Sequence, residues 1–111
     1  MSGQWHRVAA LGAVKEDAAL PADVEGEAIA LYRVGDAVFA LSDWCTHQPD
    51  VRLSGGYVEG SMVECPMHQS CFDVRTGAVL GPPADVDVRT FAVKVEEGSV
   101  YVSLEPVGDG L

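Results

Sequence analysis

A chain of 111 residues with 17 Asp plus Glu against 7 Lys plus Arg, a net charge of −10, has room for one compact domain and lacks the clustered cations that phosphate binding needs, which excludes nucleic acid as a partner. Residues 1–20 show no basic start followed by an apolar run, and no stretch approaches the roughly 18 apolar residues of a membrane helix, so no membrane span is expected. A cytoplasmic location follows, where thiols stay reduced and three cysteines point to metal or reactivity rather than to disulfides.

Val recurs between glycines along the whole chain, which favours strands and turns over helices. Trp5 to Val8 reads as a first short strand. Residues 15–27 are polar and interrupted by Pro21 and Gly26, and read as a connecting loop with room for one helical turn. Ala28 to Val34 alternates, with Ile29, Leu31 and Arg33 on one face and Ala30, Tyr32 and Val34 on the other. Gly35-Asp36 then turns the chain into Ala37 to Leu41, a hairpin signal. From 43 to 83 the chain is rich in Cys, His, Gly and Pro. Within it Tyr57–Glu59 pairs with Ser61–Glu64 across Gly60, and Phe72–Val74 with Ala78–Leu80 across Arg75-Thr76-Gly77. After Val88 the period of two returns in Phe91, Val93 and Val95; Glu97-Gly98 turns into Val100 to Leu104, and 105–111 reads as a tail. The expected fold is all-β, a small antiparallel barrel or sandwich with an insertion. Residues 1–111 form a single domain, with a base at 1–42 and 84–105 and an inserted subdomain at 43–83.

The insertion holds all three cysteines and two of the three histidines. Cys45-Thr46-His47 is followed by seventeen residues and then Cys65-Pro66-Met67-His68. Each loop offers one thiolate and one imidazole. Two Cys and two His can make a structural zinc site, but zinc spacing usually pairs like with like. Mixed pairs suit a binuclear cluster, in which one iron takes the two Cys and the other the two His.

Cys-x-His, the gap of seventeen, and Cys-Pro-x-His followed by Gln69-Ser70-Cys71-Phe72-Asp73 and Thr76-Gly77 resemble the Rieske domain signature. Pro82-Pro83 and the closing strands through Val102 extend the resemblance over nearly the whole chain. Within that family the chain is most similar to the stand-alone ferredoxins of bacterial aromatic-ring-hydroxylating dioxygenase systems. The resemblance implies a Rieske-type β-sandwich or barrel with an inserted cluster-binding subdomain, holding one [2Fe–2S] cluster per chain. Cys45 and Cys65 would bind a buried iron, His47 and His68 an outer iron with ring edges near solvent, and Pro82-Pro83 would cover the site. It implies an electron carrier and not an enzyme. The partners would be a flavin-containing, NAD(P)H-dependent reductase and a terminal oxygenase with its own Rieske centre. A small subunit of an assimilatory nitrite reductase and a zinc-binding interaction module are the alternatives.

Departures from the high-potential members of the family also matter. Asp50 and Met67 stand where those proteins carry a disulfide, and Phe72 stands where they carry a Tyr that donates to a ligand sulfur. Ser70 keeps a second donor position. Fewer donors and nearby carboxylates disfavour the more negative reduced form, so the potential is expected near the lower end of the Rieske range, about −150 mV. Ferric iron acidifies a bound imidazole, so the potential is expected to fall at alkaline pH. Among the remaining residues, Cys71 reads as a small apolar side chain in a strand, and His6 as a surface histidine. Trp44 packs in the core, shields the site or meets a partner; Met67 is exposed for partner contact. Gln48 and Gln69, each following a histidine ligand, shape the surface there or are tolerated polar residues. Asp73 ties the second loop through backbone hydrogen bonds, and Gly55-Gly56 and Gly77 supply positive φ in turns.

Overall fold

The computed structural model describes residues 5–46, 50–67, 70–81 and 86–104. His47, Gln48, His68, Gln69, Pro82, Pro83 and the tail at 105–111 lie outside the described residues.

Ten strands follow one another as β1 (His6–Ala10), β2 (Ala19–Val24), β3 (Glu27–Val34), β4 (Ala37–Ser42), β5 (Tyr57–Glu59), β6 (Met62–Glu64), β7 (Cys71–Asp73), β8 (Val79–Gly81), β9 (Thr90–Glu96) and β10 (Ser99–Ser103). They form a six-stranded sheet in the order β1-β10-β9-β4-β3-β2 and a four-stranded sheet in the order β5-β6-β7-β8. Every named strand pairing is antiparallel. The expected all-β architecture with a second, smaller sheet at the Cys- and His-rich stretch is what the chain adopts. Among the described residues no helix is long and apolar enough to cross a membrane.

The β3–β4 hairpin organises the molecule because both of its faces are covered. Ile29 and Leu31 pack with Val14, Val24, Val38, Ala40, Phe91, Val100 and Val102 in the core of the large sheet. Ala30 and Tyr32 point the other way and pack with Leu41, Cys45, Leu53, Val63, Cys65, Phe72, Val74 and Val88. The alternation read from residues 28–34 thus separates two cores, and Arg33 reaches the carbonyl of Val14 on the Ile29 side at 3.4 Å. The second core holds the small sheet on the large one; three-residue strands bury too little to stand alone.

One element was misread from the sequence. Residues 19–24 are not a loop but β2, paired with β3 from Ala19↔Tyr32 to Val24↔Glu27. Pro21 is tolerated because β2 is the edge of its sheet. Glu25-Gly26 closes the hairpin with both residues at positive φ, +51° and +84°, the two-residue turn that matches strand twist. The remaining strands lie within one or two residues of their expected limits.

The glycine reading holds at Gly77, whose φ is +79°, and fails at Gly56, whose φ is −96°. Gly56 is needed for space: a Cβ there would overlap the carbonyl oxygen of Glu64. Gly55 lies in a 3₁₀ turn, Leu53–Gly55, and also has no positive φ.

Candidate metal centre

Two loops bring the cysteines together. The first leaves the end of β4 and is closed at its base by backbone bonds. Asp43 N–H donates to Ala28 O at 3.0 Å, Leu53 N–H to Asp43 O at 2.8 Å, and Cys45 N–H to Val51 O at 3.0 Å. The second loop leaves β6 and is closed where Cys65 N–H donates to Ser70 O at 2.7 Å. Gly56 lets the two approach, since its missing side chain admits the Glu64 carbonyl and the Pro66 ring.

Cys45 and Cys65 are both buried, and both belong to the core under the small sheet. Their sulfurs interact with each other. Burial pushes the Cys65 thiol up, a hydrogen bond from the backbone of Met67 pulls it back, and the Cys45 sulfur adds to the rise. Two sulfur donors from separate loops, turned toward one another out of water, suit a soft or borderline metal such as iron. His47 and His68 lie outside the described residues. Among the described residues no three metal-ligating side chains meet, as expected when half of the proposed set is not among them. The cysteine half fits a Rieske-type cluster.

A third segment packs against the first loop. Thr46, between Cys45 and His47 in sequence, donates its hydroxyl to Val86 O at 2.6 Å. Asp87 Oδ1 accepts the N–H of Val79 at 2.9 Å, and Val88 N–H donates to Gly77 O at 2.8 Å. The chain that follows Pro82-Pro83 is therefore fastened both to the first loop and to the β7–β8 hairpin. Asp73 ties that hairpin rather than the second loop: its Oδ1 accepts the N–H of Arg75 at 2.8 Å, because the carboxylate faces the turn that follows β7. The Arg75 guanidinium, bonded to the same carboxylate, holds Asp73 below the usual carboxylate range.

Phe72 is fully buried, and so is Ser70. Met67 is 48% exposed, matching its reading as a surface residue. Cys71 lies half-buried in β7, its thiol pushed up by burial first and then by Glu64 opposite it. His6 is not isolated: its Nδ1 lies 3.8 Å from Glu25 Oε2. Trp44 does not pack in the core. It is 37% exposed, and the Arg52 guanidinium sits 5.4 Å from its ring centroid.

Sequence reasoning missed Asp43 altogether. Its carboxylate is fully buried and accepts from Arg52 Nε at 2.8 Å, Ser54 N–H at 2.7 Å and Ser54 Oγ at 2.7 Å. The available signal was an acid at the end of an apolar strand, which sequence alone does not separate from a surface acid.

A β-base carrying a small sheet whose loops present buried cysteines defines a class of small iron–sulfur electron carriers. The chain belongs to the Rieske [2Fe–2S] domain family, which matches residues 4–92. It is 39% identical over 104 residues to the ferredoxin component of the naphthalene 1,2-dioxygenase system of Pseudomonas putida, covering 94% of this chain and 99% of that one. It is also 39% identical to the anthranilate 1,2-dioxygenase ferredoxin subunit of Burkholderia cepacia, over 91% of this chain and 93% of the relative. Among solved structures, it resembles the ferredoxin of carbazole 1,9a-dioxygenase from Nocardioides aromaticivorans IC177 with a TM-score of 0.86 and 35% identity, covering 92% of this chain and 99% of that one. A chain from a complex of reduced oxygenase and oxidized ferredoxin in carbazole 1,9a-dioxygenase matches with a TM-score of 0.88 and 35% identity, over 97% and 100% of the two chains. A small subunit described as a nitrite reductase shares 24% identity and a TM-score of 0.74 over 89% of this chain and 97% of that one, a likeness of fold alone. The cofactor of the family is a Rieske-type [2Fe–2S] cluster, and the near full-length relatives are electron-transfer components, not oxygenases.

Proposed function

We propose that the chain holds one [2Fe–2S] cluster on Cys45, His47, Cys65 and His68 and carries single electrons to the terminal oxygenase of an aromatic-ring-hydroxylating dioxygenase system. The observation that carries this is the meeting of the Cys45 and Cys65 sulfurs in one buried core, each in a loop that also contains a histidine at Rieske spacing. When bound, the cluster supplies reversible one-electron transfer without making or breaking bonds to substrate. The protein's part is to bury the two thiolates, to close both loops with backbone bonds, and to leave the outer rim for a partner. Met67, 48% exposed, and Val86, 58% exposed, are the apolar side chains of that rim. Thr46 joins Val86 to the first loop.

The electron source is a flavin-containing, NAD(P)H-dependent reductase: each hydride supplies two electrons, so the chain cycles twice per hydride. The acidic surface, with its net charge of −10, suits basic patches on both partners and speeds encounter. We place this exchange in the cytoplasm, where NAD(P)H is available. The inserted subdomain at 43–83 is the electron-transfer end and the remainder is its base.

An anaerobic redox titration followed by electron paramagnetic resonance tests the reading. A rhombic one-electron signal with average g below 2, appearing only at clearly negative potential, is expected, and His47→Ala or His68→Ala abolishes it. A colourless protein with one zinc per chain overturns it.

A further inference from the structure

Asp43, Trp44 and Cys45 alternate buried, exposed, buried across the antiparallel bridge of Trp44 with Arg52, so Asp43 and Cys45 are both turned inward, two residues apart. Asp43 is fully buried, yet its hydrogen bonds to Arg52 and Ser54 reach across the base of the first loop. Its counter-charge is placed differently. The Arg52 side chain is 38% exposed and is shared with Asp23 at 3.6 Å. The cation's field is therefore partly screened by water and by a second carboxylate, so it offsets the buried anion incompletely. Asp43 lies two residues before Cys45, and its own backbone closes the base of the loop, its N–H on Ala28 O and its carbonyl on Leu53 N–H. The buried carboxylate therefore adjoins the core that contains both cysteines.

Resting on the ligand reading above, we propose that Asp43 is a positioning residue with an electrostatic role: it clamps the loop that carries Cys45 and His47, and its buried charge holds the reduction potential down. Reduction adds one negative charge to the site, and an incompletely offset anion nearby disfavours it. Arg52 trims the effect from the solvent side.

The test is the midpoint potential of cluster-loaded wild type, Asp43→Asn, Arg52→Gln and Arg52→Lys, each titrated under electron paramagnetic resonance. Asp43→Asn keeps the shape and the acceptor for Ser54 N–H but removes the charge, and the potential shifts upward. Arg52→Gln leaves the carboxylate uncompensated, and the potential shifts downward, while Arg52→Lys returns it toward wild type. The upward shift of Asp43→Asn persists in 1 M salt, where contributions of exposed acids fade. A clamp acting through loop geometry alone moves both variants in the same direction or neither, and either result overturns the proposal. Should Asp43→Asn fail to fold, the opposed behaviour of Arg52→Gln and Arg52→Lys decides: equal potentials overturn the charge role. A wild type without the Rieske signal overturns the ligand reading and this proposal with it. A normal wild-type signal with unshifted variants overturns this proposal alone.

Discussion

Three glycines separate two reasons for having no side chain, and their alanine variants carry distinct expected costs. Gly26 has φ +84° and open space around the position of a Cβ. Gly56 has φ −96°, which any residue adopts, but a Cβ there meets the Glu64 carbonyl. Gly77 combines both conditions, with φ +79° and a Cβ that would overlap the Val88 carbonyl. A left-handed backbone costs a non-glycine residue about 1–2 kcal/mol. Forcing an atom into packed space costs about 1–3 kcal/mol. Gly26→Ala is therefore expected to destabilise by about 1 kcal/mol, Gly56→Ala by about 2 kcal/mol and Gly77→Ala by about 2–5 kcal/mol. At about 4 °C per kcal/mol for a chain of this size, apparent melting temperatures fall by roughly 4, 8 and 15 °C. Far-UV circular dichroism of the cluster-loaded proteins measures this. Gly56→Ala carries a second signature, because the displaced Glu64 adjoins Cys65: its cluster is lost at lower temperature than the fold. Gly77→Ala melting no lower than Gly26→Ala refutes the close approach to Val88.

The Tyr32 hydroxyl is buried and finds no hydrogen-bond partner among the described residues, so Tyr32→Phe is expected to stabilise by about 1–2 kcal/mol, read by urea unfolding. Burial raises its pKa on folding, so ionisation in the unfolded chain withdraws stability as pH rises above the unfolded pKa of about 10, with no such loss below it. Tyr32→Phe should flatten the alkaline limb of a stability–pH profile, and a steeper limb in the variant contradicts the assignment. Asp73→Asn keeps an acceptor for the Arg75 N–H but loses the charge that the Arg75 guanidinium binds, and is expected to lower stability modestly at pH 7, read by urea unfolding. Because folding depresses the Asp73 pKa, the contribution is complete above the unfolded value of about 3.9 and fades as pH falls through the folded one; wild type and variant converge in acid. Thr46→Val removes the bond to Val86 O, costs about 1 kcal/mol, and loosens the segment after Pro82-Pro83, which hydrogen exchange at residues 86–88 detects.

The strands were legible where hydrophobic period and turn chemistry agreed. Ala28–Val34, Gly35-Asp36 and Ala37–Leu41 read as a hairpin because alternation and turn both pointed there, and the structure places β3 and β4 within one residue of those limits. Residues 19–24 failed the same test for a local reason. Pro21 argues against a strand unless the strand is an edge, and edge position is a property of the assembled sheet. Leu20, Ala22 and Val24 kept the period of two and pack on the large-sheet core, so the signal was present but outweighed by Pro21 and the polar neighbours. Cys45 and Cys65 were legible as a pair through their spacing with histidine, and the structure buries both in one core. Asp43 was not, because its partners Arg52 and Ser54 lie nine and eleven residues on and meet it only when the first loop closes.

The two-sided burial of β3 also explains how so small a chain holds a buried site. Ile29 and Leu31 serve the core of the large sheet while Ala30 and Tyr32 serve the core beneath the small one, so each successive residue of one strand contributes to a different core. Cys45 and Cys65 are members of the second core, packed with Leu41, Leu53, Val63 and Phe72. The loop that carries Cys45 is fastened to β3 and β4 within a few residues, at Ala28 O and through Asp43, and the loop that carries Cys65 is closed by its own bond to Ser70 O. Elements this short cannot hold a donor set in place by their own hydrogen bonds. Here the rigidity comes from the strand behind them, and a defect in the outer face of β3, such as Ala30→Gly, would loosen the site before it unfolded the large sheet.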